Sequence, residues 1–572
     1  MKVSDYIINY LYEQKVRHIF EVIGGMVTHL IDSAYRQGKI NLISCHHEQA
    51  AAFAADAMAR VTGIPGIAIA TSGPGATNLL TGIGTCYYDS TPAIFITGQV
   101  NLHEQKKGRY IRQLGFQETD IVSMAQSVTK AAWRVSSAKE VPILLKQAFS
   151  VALSGRPGPV LIDLPMDIQR AKISNDDFTS LPIVTEDVDE GLVDELFFQL
   201  SLAKRPLILA GGGINSAHVR ELFKNFIEKV NVPVVNSLMA VDVLPYNHPL
   251  RIGLIGTYGN RWSNIAIGSS DLLLVLGSRL DIRQTGSDTN AFKGKRKIYH
   301  VDCEAGEINN RITGCTAILS HLRPFLISAV KKILDRKSTD YTSWILELNQ
   351  LKQKWPDTAE LRDVRGINPN KFIHQLSDKS NLTAAFIADI GQNQMWAAQS
   401  LDLKADQRFL TSGGMAPMGY ALPAAIGACF AYSKRPVIMI SGDGVFQLNI
   451  QELQTIVRNH LPIKMVILNN KCYGMVRQFQ ESYFECRYQS TYWGYSAPNF
   501  TSIANAYGIQ SATVNDESEI EPALEKMWSD PKASFLLDVL IDVNTNVYPK
   551  IAFGLPMTEM EPFAKPISME ST

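Results

Sequence analysis

The feature that most limits how this chain can fold lies in its last third. An apolar run, Pro436-Val437-Ile438-Met439-Ile440, leads into Ser441-Gly442-Asp443-Gly444. A pattern with helical spacing follows from Gln447 to Arg458, and a second apolar run, Ile463 to Leu468, ends at Asn469-Asn470. Strand, helix and strand in that order make one βαβ unit. A right-handed crossover lays the two strands side by side, so Asp443 and Asn470 are expected at the same carboxyl edge, close enough to share an ion. One carboxylate and one amide oxygen are too few for zinc or a calcium cage. They suit Mg2+, which keeps waters and takes phosphate oxygens as its other ligands, so a diphosphate is the expected guest. Gly-Asp-Gly alone is also an ordinary tight turn and Asn-Asn an ordinary strand-end loop. The helix between them, across 27 positions, favours the ion.

At 572 residues the chain has material for three to four domains of common size. Its 55 Lys and Arg balance 55 Asp and Glu, so no overall field draws it to nucleic acid or an anionic membrane. Met1-Lys2-Val3-Ser4-Asp5-Tyr6 opens an amphipathic pattern, not the apolar core of a signal peptide, and no apolar run has membrane length. The seven cysteines (Cys45, Cys86, Cys303, Cys315, Cys429, Cys472, Cys486) are scattered and never form C-x-x-C. A reduced, cytoplasmic setting is expected.

Residues 1–172 alternate helix-like and strand-like segments in the manner of a parallel α/β domain. Helices are predicted over Asp5 to Lys15, Gln49 to Arg60 and Ala76 to Cys86, and strands over Val16 to Phe20, Ile40 to Cys45, Gly66 to Thr71 and Pro92 to Thr97. His46-His47-Glu48 falls where a strand ends and an alanine-rich helix begins. Adjacent residues in extended chain point to opposite sides and no H-E-x-x-H follows, which argues against a metal there. Glu48 reads either as a helix-capping carboxylate or as a buried functional acid. Gly73 and Gly75, in Ser72-Gly73-Pro74-Gly75, fit a tight turn that admits a ligand closely.

A polar, acidic stretch from Ala171 to about Gly191, with Asn175-Asp176-Asp177 and Glu186-Asp187-Val188-Asp189-Glu190, reads as a linker. The second α/β domain, 190–335, shows a strand, Pro206 to Ala210, running into Gly211-Gly212-Gly213. That is a close-approach turn of the kind used for dinucleotides, although it lacks G-x-G-x-x-G spacing and a plain glycine turn fits equally. A second linker, Asp335 to Gly366, carries a predicted helix over Tyr341 to Trp355; the third domain spans 366–545. The proline-bearing tail, 546–572, reads either as a mobile cover or as a disordered end.

Several ordered stretches together resemble the acetohydroxyacid synthase (acetolactate synthase) family of thiamine-diphosphate (ThDP) enzymes. They are His47-Glu48-Gln49-Ala50-Ala51, Ala70 through Asn78, Gly115-Phe116-Gln117-Glu118, Gly155-Arg156-Pro157-Gly158-Pro159-Val160, Gly391 through Ala398, and the Gly442-Asp443-Gly444 to Asn470 unit, spread over nearly the whole chain. The resemblance implies three doubly wound parallel-sheet α/β domains: a pyrimidine-binding domain, a central FAD-type domain and a diphosphate domain. It implies pyruvate as donor and a ketone or 2-keto acid as acceptor, with a homodimer or homotetramer whose site pairs the first domain of one subunit with the third of another.

Residue by residue, the resemblance makes Glu48 the acid that shares a proton with the aminopyrimidine ring, and Met418 the prop that bends the cofactor. Gly73, Asn78, Ile390, Gly391, Gln392, Asn393, Ala416, Gly442, Gly444, Val445, Tyr473, Gly474 and Met475 would surround ThDP, with Ile390, Gly391, Gln392 and Asn393 holding the diphosphate by backbone and amide donors. Asp443, Asn470 and the backbone carbonyl of Cys472 would hold Mg2+. Phe116, Gln117 and Phe479 would stand near the reacting centre, and Arg283 would meet the acceptor's carboxylate, a task suited to a guanidinium fork. Lys130 matches a family position but reads equally as a surface lysine. A non-redox FAD would contact Arg156, Gly211, Gly212, Gly213, Leu238, Met239, Gly256, Thr257, Tyr258, Gly277, Arg279, Asp281, Arg283 and Asp302.

The chain departs from the family at Glu21-Val22-Ile23-Gly24-Gly25, where an acid replaces a glycine, at Gln478-Phe479, where tryptophan is usual, at Asp281-Ile282 and at Ala416-Pro417. All lie on the acceptor side as the family would place it. The donor reading therefore stands, while the acceptor stays open between a second pyruvate and a bulkier ketone such as a nucleotide-linked keto sugar. A plain 2-keto acid decarboxylase is the remaining alternative.

Overall fold

In a computed structural model, which describes residues 1–173, 188–334, 339–362 and 364–567, the described chain is built on three six-stranded parallel sheets. The first holds β1 (His18–Val22), β2 (Asn41–Ser44), β3 (Gly66–Ala70), β4 (Ala93–Gln99), β5 (Ala131–Arg134) and β6 (Pro159–Pro165), in the order β2-β1-β3-β4-β6-β5. The second holds β7 (Pro206–Ala210), β8 (Val234–Asn236), β9 (Arg251–Leu254), β10 (Leu272–Leu276), β11 (Lys297–Asp302) and β12 (Thr316–Leu319), in the order β12-β11-β10-β7-β8-β9. The third holds β13 (Ala385–Ala388), β14 (Arg408–Leu410), β15 (Val437–Gly442), β16 (Ile463–Asn469), β17 (Gln510–Val514) and β18 (Phe535–Leu540), in the order β14-β13-β15-β16-β18-β17. The first and third sheets share one topology. The middle sheet has the doubly wound order of dinucleotide-binding folds, with its switch point between β7 and β10.

Most of these strands are buried throughout because helices cover both faces of each sheet. The alanine run after Glu48 has a packing cause. Helix Glu48–Thr62 lies against helix Ala421–Ala431 of the third domain so closely that a Cβ on Gly427 would collide with the Ala54 carbonyl. Small side chains let the two backbones approach, and both sheets contribute to one apolar core. A buried charge cluster reinforces the seam. Arg60 pairs with Asp56 and Asp89, each at 2.8 Å, and the Tyr420 hydroxyl donates to Asp56 at 2.7 Å.

Three expectations change. The single helix predicted from Gln447 to Arg458 is broken: residues Gln447–Glu452 are 3-10, with Asn449 at φ −132°, before helix Leu453–Arg458. The Asn449 amide donates to the Gly419 carbonyl at 2.8 Å and to Gln49 Oε1 at 3.2 Å, which pulls it off helical geometry. The helix predicted over Ala76 to Cys86 is likewise two, Pro74–Asn78 and Leu80–Tyr88. The tail through 567 is packed. Lys550–Ile551 pairs antiparallel with Met560–Glu561, the Ile551 N–H donates to Thr257 at 2.8 Å, and buried Arg261 donates to the Glu561 carbonyl. The helix expected in the second linker is present at Thr342–Lys354, whereas Asn175-Asp176-Asp177 and Glu186-Asp187 lie outside the described residues.

Candidate active site

At the carboxyl edge of the third sheet, β15 and β16 pair in register from Val437↔Ile463 to Gly442↔Leu468, so Asp443 and Asn470 leave adjacent strands together. Asn470 Nδ2 donates to Gln392 Oε1 at 2.8 Å. Its oxygen is thereby turned toward Asp443 Oδ1 at 3.3 Å and the Cys472 carbonyl at 3.0 Å. The Asn470 amide, Asp443 Oδ1 and the Cys472 carbonyl thus converge on one point. In the absence of a cation the amide would do better reversed, donating to both oxygens; a divalent ion removes that preference. The three form an incomplete oxygen shell of the kind Mg2+ accepts, with room for phosphate oxygens and water. Among the described residues there is no cluster of three or more His, Cys, Asp and Glu able to hold a metal, because this shell needs only one acid.

Burial pushes the Asp443 carboxyl up to about 6, against the Tyr495 hydroxyl, which donates to Oδ2 at 2.6 Å. Tyr495 matches no motif, so sequence reasoning missed it. It stacks edge-on to Tyr473 at 4.9 Å, and Gly444 leaves the space both rings occupy. Gly474 has a similar reason: a Cβ there would strike Gln392 Oε1.

The first strand of this sheet supplies Ile390-Gly391-Gln392-Asn393. Gly391 sits at φ 137°, a conformation side chains rarely adopt, and the helix Gln392–Ser400 starts after it. The amides of Gln392 and Asn393 are committed inside the protein, Gln392 to the Thr545 carbonyl at 3.1 Å and Asn393 to the Asp389 carbonyl at 2.7 Å. Of the backbone and amide donors expected from sequence, the backbone N–H groups at the helix start are the ones left open to a phosphate. Asp389, another residue without a motif, holds the opposite loop: its carboxylate accepts from Gly419 N and Ala421 N, both at 3.0 Å, and burial raises it to about 6. That loop bears Ala416, at φ 53°, and Met418, which is 41% exposed and free to touch a ligand. Val445 and Met475 flank the cluster at the starts of two short helices.

The acid of the first domain is prepared differently. His47, not Glu48, caps the helix, its Nδ1 accepting from Gln49 N at 3.1 Å. Glu48 is released from capping, buried, and accepts from Asn78 Nδ2 at 2.9 Å through Oε2. Its Oε1 faces Gly75, where a Cβ would lie 3.2 Å away. Gly73 packs on Gln117, itself at φ 64°, and Phe116 beside it is 78% exposed. The flanking backbone is anchored by Glu452 Oε1, which accepts from His46 N at 2.9 Å and His47 N at 3.1 Å. Lys130 stands apart, donating to the Ser154 carbonyl at 2.5 Å. Among the described residues no hydrogen bond joins Glu48 to the Asp443 cluster of the same chain.

On the middle sheet the expected FAD positions share one edge. Gly211, Gly212 and Gly213 follow β7, Leu238 and Met239 follow β8, Gly256, Thr257 and Tyr258 follow β9, Gly277, Arg279 and Asp281 follow β10, and Asp302 ends β11. Gly213 N donates to the Gly277 carbonyl at 2.9 Å across the switch point, and buried Asn236 Oδ1 has no partner. An orphaned acceptor at the end of β8, one strand from the switch point, fits a hydroxyl-bearing dinucleotide. Arg156 crosses from the first domain to Glu304 at 3.0 Å and Glu307 at 2.6 Å, and Asp281 is occupied by Arg279 and by the N–H groups of Arg283 and Gln284. Arg283 and Tyr483 both act electrostatically on Tyr258, and Tyr483 lies 4.8 Å from Phe479.

Two prepared acids and an oxygen shell on matching parallel sheets, with a dinucleotide-type sheet between them, define a three-domain thiamine pyrophosphate enzyme. Three family models agree: the N-terminal TPP binding domain over residues 1–124, the central domain over 193–328 and the C-terminal TPP binding domain over 389–539. The chain is 35% identical over 562 residues to the acetolactate synthase large subunit of Lactococcus lactis subsp. lactis, covering 97% of this chain and 95% of that one. It is 34% identical to the isozyme 2 large subunit of Escherichia coli K12, covering 98% and 99%, and 35% identical to the chloroplastic acetolactate synthase 2 of Nicotiana tabacum, covering 97% and 84%. This chain belongs to the acetolactate synthase large-subunit family.

Proposed function

We propose that the protein is a ThDP- and Mg2+-dependent carboligase that decarboxylates pyruvate and joins the remaining two-carbon unit to a ketone or 2-keto acid acceptor. The observation that carries this reading is the convergence of Asp443, Asn470 and the Cys472 carbonyl beside a helix start. When bound, ThDP supplies a nucleophilic carbon and takes up the electrons released with CO2. The chain's own residues do the rest. Asp443, Asn470 and Cys472 hold Mg2+, and backbone N–H groups from Gly391 onward meet the diphosphate. Glu48 keeps Oε2 on Asn78 and shares a proton through Oε1, over the gap that Gly75 leaves. Met418 would pack against the bound cofactor, and Arg283 with Phe479 would shape the acceptor pocket. The loops after β7, β8, β9 and β10 would hold FAD, in a non-redox role.

The catalytic unit in this reading is a homo-oligomer, a dimer or tetramer, in which Glu48 serves the Asp443 cluster of another copy. Sequence similarity to acetolactate synthases supports pyruvate as the donor. The test is mass spectrometry of products from pyruvate, alone and with ketone acceptors, for the wild type and D443N. Magnesium-dependent CO2 release and a coupled product are expected from the wild type, with loss of about 10²-fold or more in the variant. Acetaldehyde as the sole product with every acceptor, or full activity in D443N, would refute the reading.

A further inference from the structure

The segment between β4 and Phe116 contains four cations in seven residues, Lys106-Lys107-Gly108-Arg109-Tyr110-Ile111-Arg112, in a chain whose total charge is zero. The neighbouring acids do not neutralise them. Glu104 is spent on Asn101, accepting from its N–H at 3.0 Å and its Nδ2 at 2.6 Å. Glu118 accepts from Lys106 N at 2.6 Å and Leu114 N at 2.9 Å. Among the described residues none of the four cations has an ion-pair partner within 4.0 Å; the one contact of a charged head is Lys106 Nζ to the Arg112 carbonyl at 3.4 Å.

Glu118 therefore acts as a clasp. By taking the N–H groups at both ends it closes residues 106–114 into a loop, and Gln113 Nε2 adds a bond to the Glu118 carbonyl at 3.0 Å. The loop is a built element with its positive side chains outward, and Tyr110 stands fully exposed among them. Its position matters as much as its charge. The chain leaves the clasp through Phe116 and Gln117, and Gln117 packs on Gly73, next but one to the Gly75 that faces Glu48. Four cations without ion-pair partners, in net excess over Glu104 and Glu118, are thus held at the rim of the proposed reacting centre.

A free 2-keto acid offers one carboxylate, for which Arg283 is already proposed. Four further cations, two of them guanidinium forks, match the several oxygens of a phosphate or diphosphate, and the exposed tyrosine suits an adjoining ring. We propose that the 106–114 loop binds the phosphate or diphosphate of the acceptor, so that the acceptor is a phosphorylated ketone, including one linked to a nucleotide, and not a free keto acid. The proposal rests on the carboligase reading.

The experiment uses holoenzyme saturated with ThDP, Mg2+ and FAD, with ADP as the diphosphate probe in titration calorimetry. ADP is expected to bind, at least about tenfold more weakly in R109A/R112A than in the wild type, with R109K/R112K between them. Wild-type affinity is expected to fall when salt rises from about 50 to about 300 mM. CO2 release from pyruvate alone should stay within about twofold in R109A/R112A, since neither arginine acts on the donor. Absence of ADP binding, equal affinity in R109A/R112A, or dissociation of the oligomer by that variant, which would assign the cations to a partner subunit, each overturns the proposal. Failure of the wild type to release CO2 from pyruvate would instead refute the carboligase reading, and the calorimetry distinguishes the two.

Discussion

At the edge of the first sheet, β2 delivers a lone acid, Glu48, into an alanine-lined setting where its partners are Asn78 and a glycine. At the edge of the third, β15 and β16 deliver three oxygens onto one point. The two sheets have the same strand order, so the difference does not come from topology. It comes from what each loop does with its polar groups. Around Glu48 the capping is handed to His47 and the backbone anchoring to Glu452, which leaves one carboxylate oxygen uncommitted. Around Asp443 the nearby amides are committed to backbone carbonyls, which leaves oxygens facing each other. In the proposed function, one edge would share a proton and the other would gather around a cation.

The comparison breaks most visibly at Glu48. E48Q retains the Asn78 contact and the volume but loses the shareable proton, so kcat for CO2 release should fall by about 10²- to 10⁴-fold while Mg2+ binding is unchanged. Full turnover in steady-state assays would remove the proton-sharing role from the first edge.

A smaller effect is expected at the bridge between the two edges. Asp89, in the first domain, accepts from Gly413 N at 3.1 Å and Gly414 N at 2.6 Å, the start of the loop that carries Met418, while pairing with buried Arg60. D89N should weaken ThDP binding about tenfold and lower unfolding stability by roughly 3 kcal/mol, since it leaves a buried arginine short of a partner. Fluorescence titration and thermal melting measure the two, and unchanged values for both would mean that the edges are set independently.

The third effect sharpens the cation edge through pH. Burial holds the Asp443 carboxyl at about 6, so a proton competes with Mg2+ below that value. Apparent Mg2+ affinity should drop up to about tenfold per pH unit below pH 6 and level off above it. Without the metal, stability runs the opposite way. A carboxyl raised in the folded state contributes stability that is full below its unfolded pKa of about 4 and is lost as pH rises through 6. Added Mg2+ should therefore raise the melting temperature at pH 7 more than at pH 5. A pH-independent magnesium effect would detach Asp443 from the metal.

Much of this was legible in the sequence because it rests on short-range pattern. The βαβ unit, the Asp443 and Asn470 positions, the glycines at strand ends and the helix after Glu48 all follow from periodicity and turn chemistry within a few dozen residues. Tyr495, Asp389, Asp89 and Glu452 were not legible, since each is a single residue in an unremarkable context whose partner is 30 to 406 positions away. The break at Asn449 escaped for the same reason: the groups that pull it from helical geometry belong to Gly419 and Gln49. The tail read as a cover or a loose end because its anchors, Thr257 and Arg261, lie in the middle domain.

By itself the sequence determined three parallel α/β domains and the strand edge at which Asp443 and Asn470 emerge together, because apolar runs, helical spacing and strand-end residues act locally. Only the tertiary structure decided which oxygens converge, which acid is spared from capping, and which cations are left unpaired around the Glu118 clasp. Those outcomes depend on how a fixed set of donors and acceptors is shared among distant segments, and that sharing is settled when the helices and sheets pack.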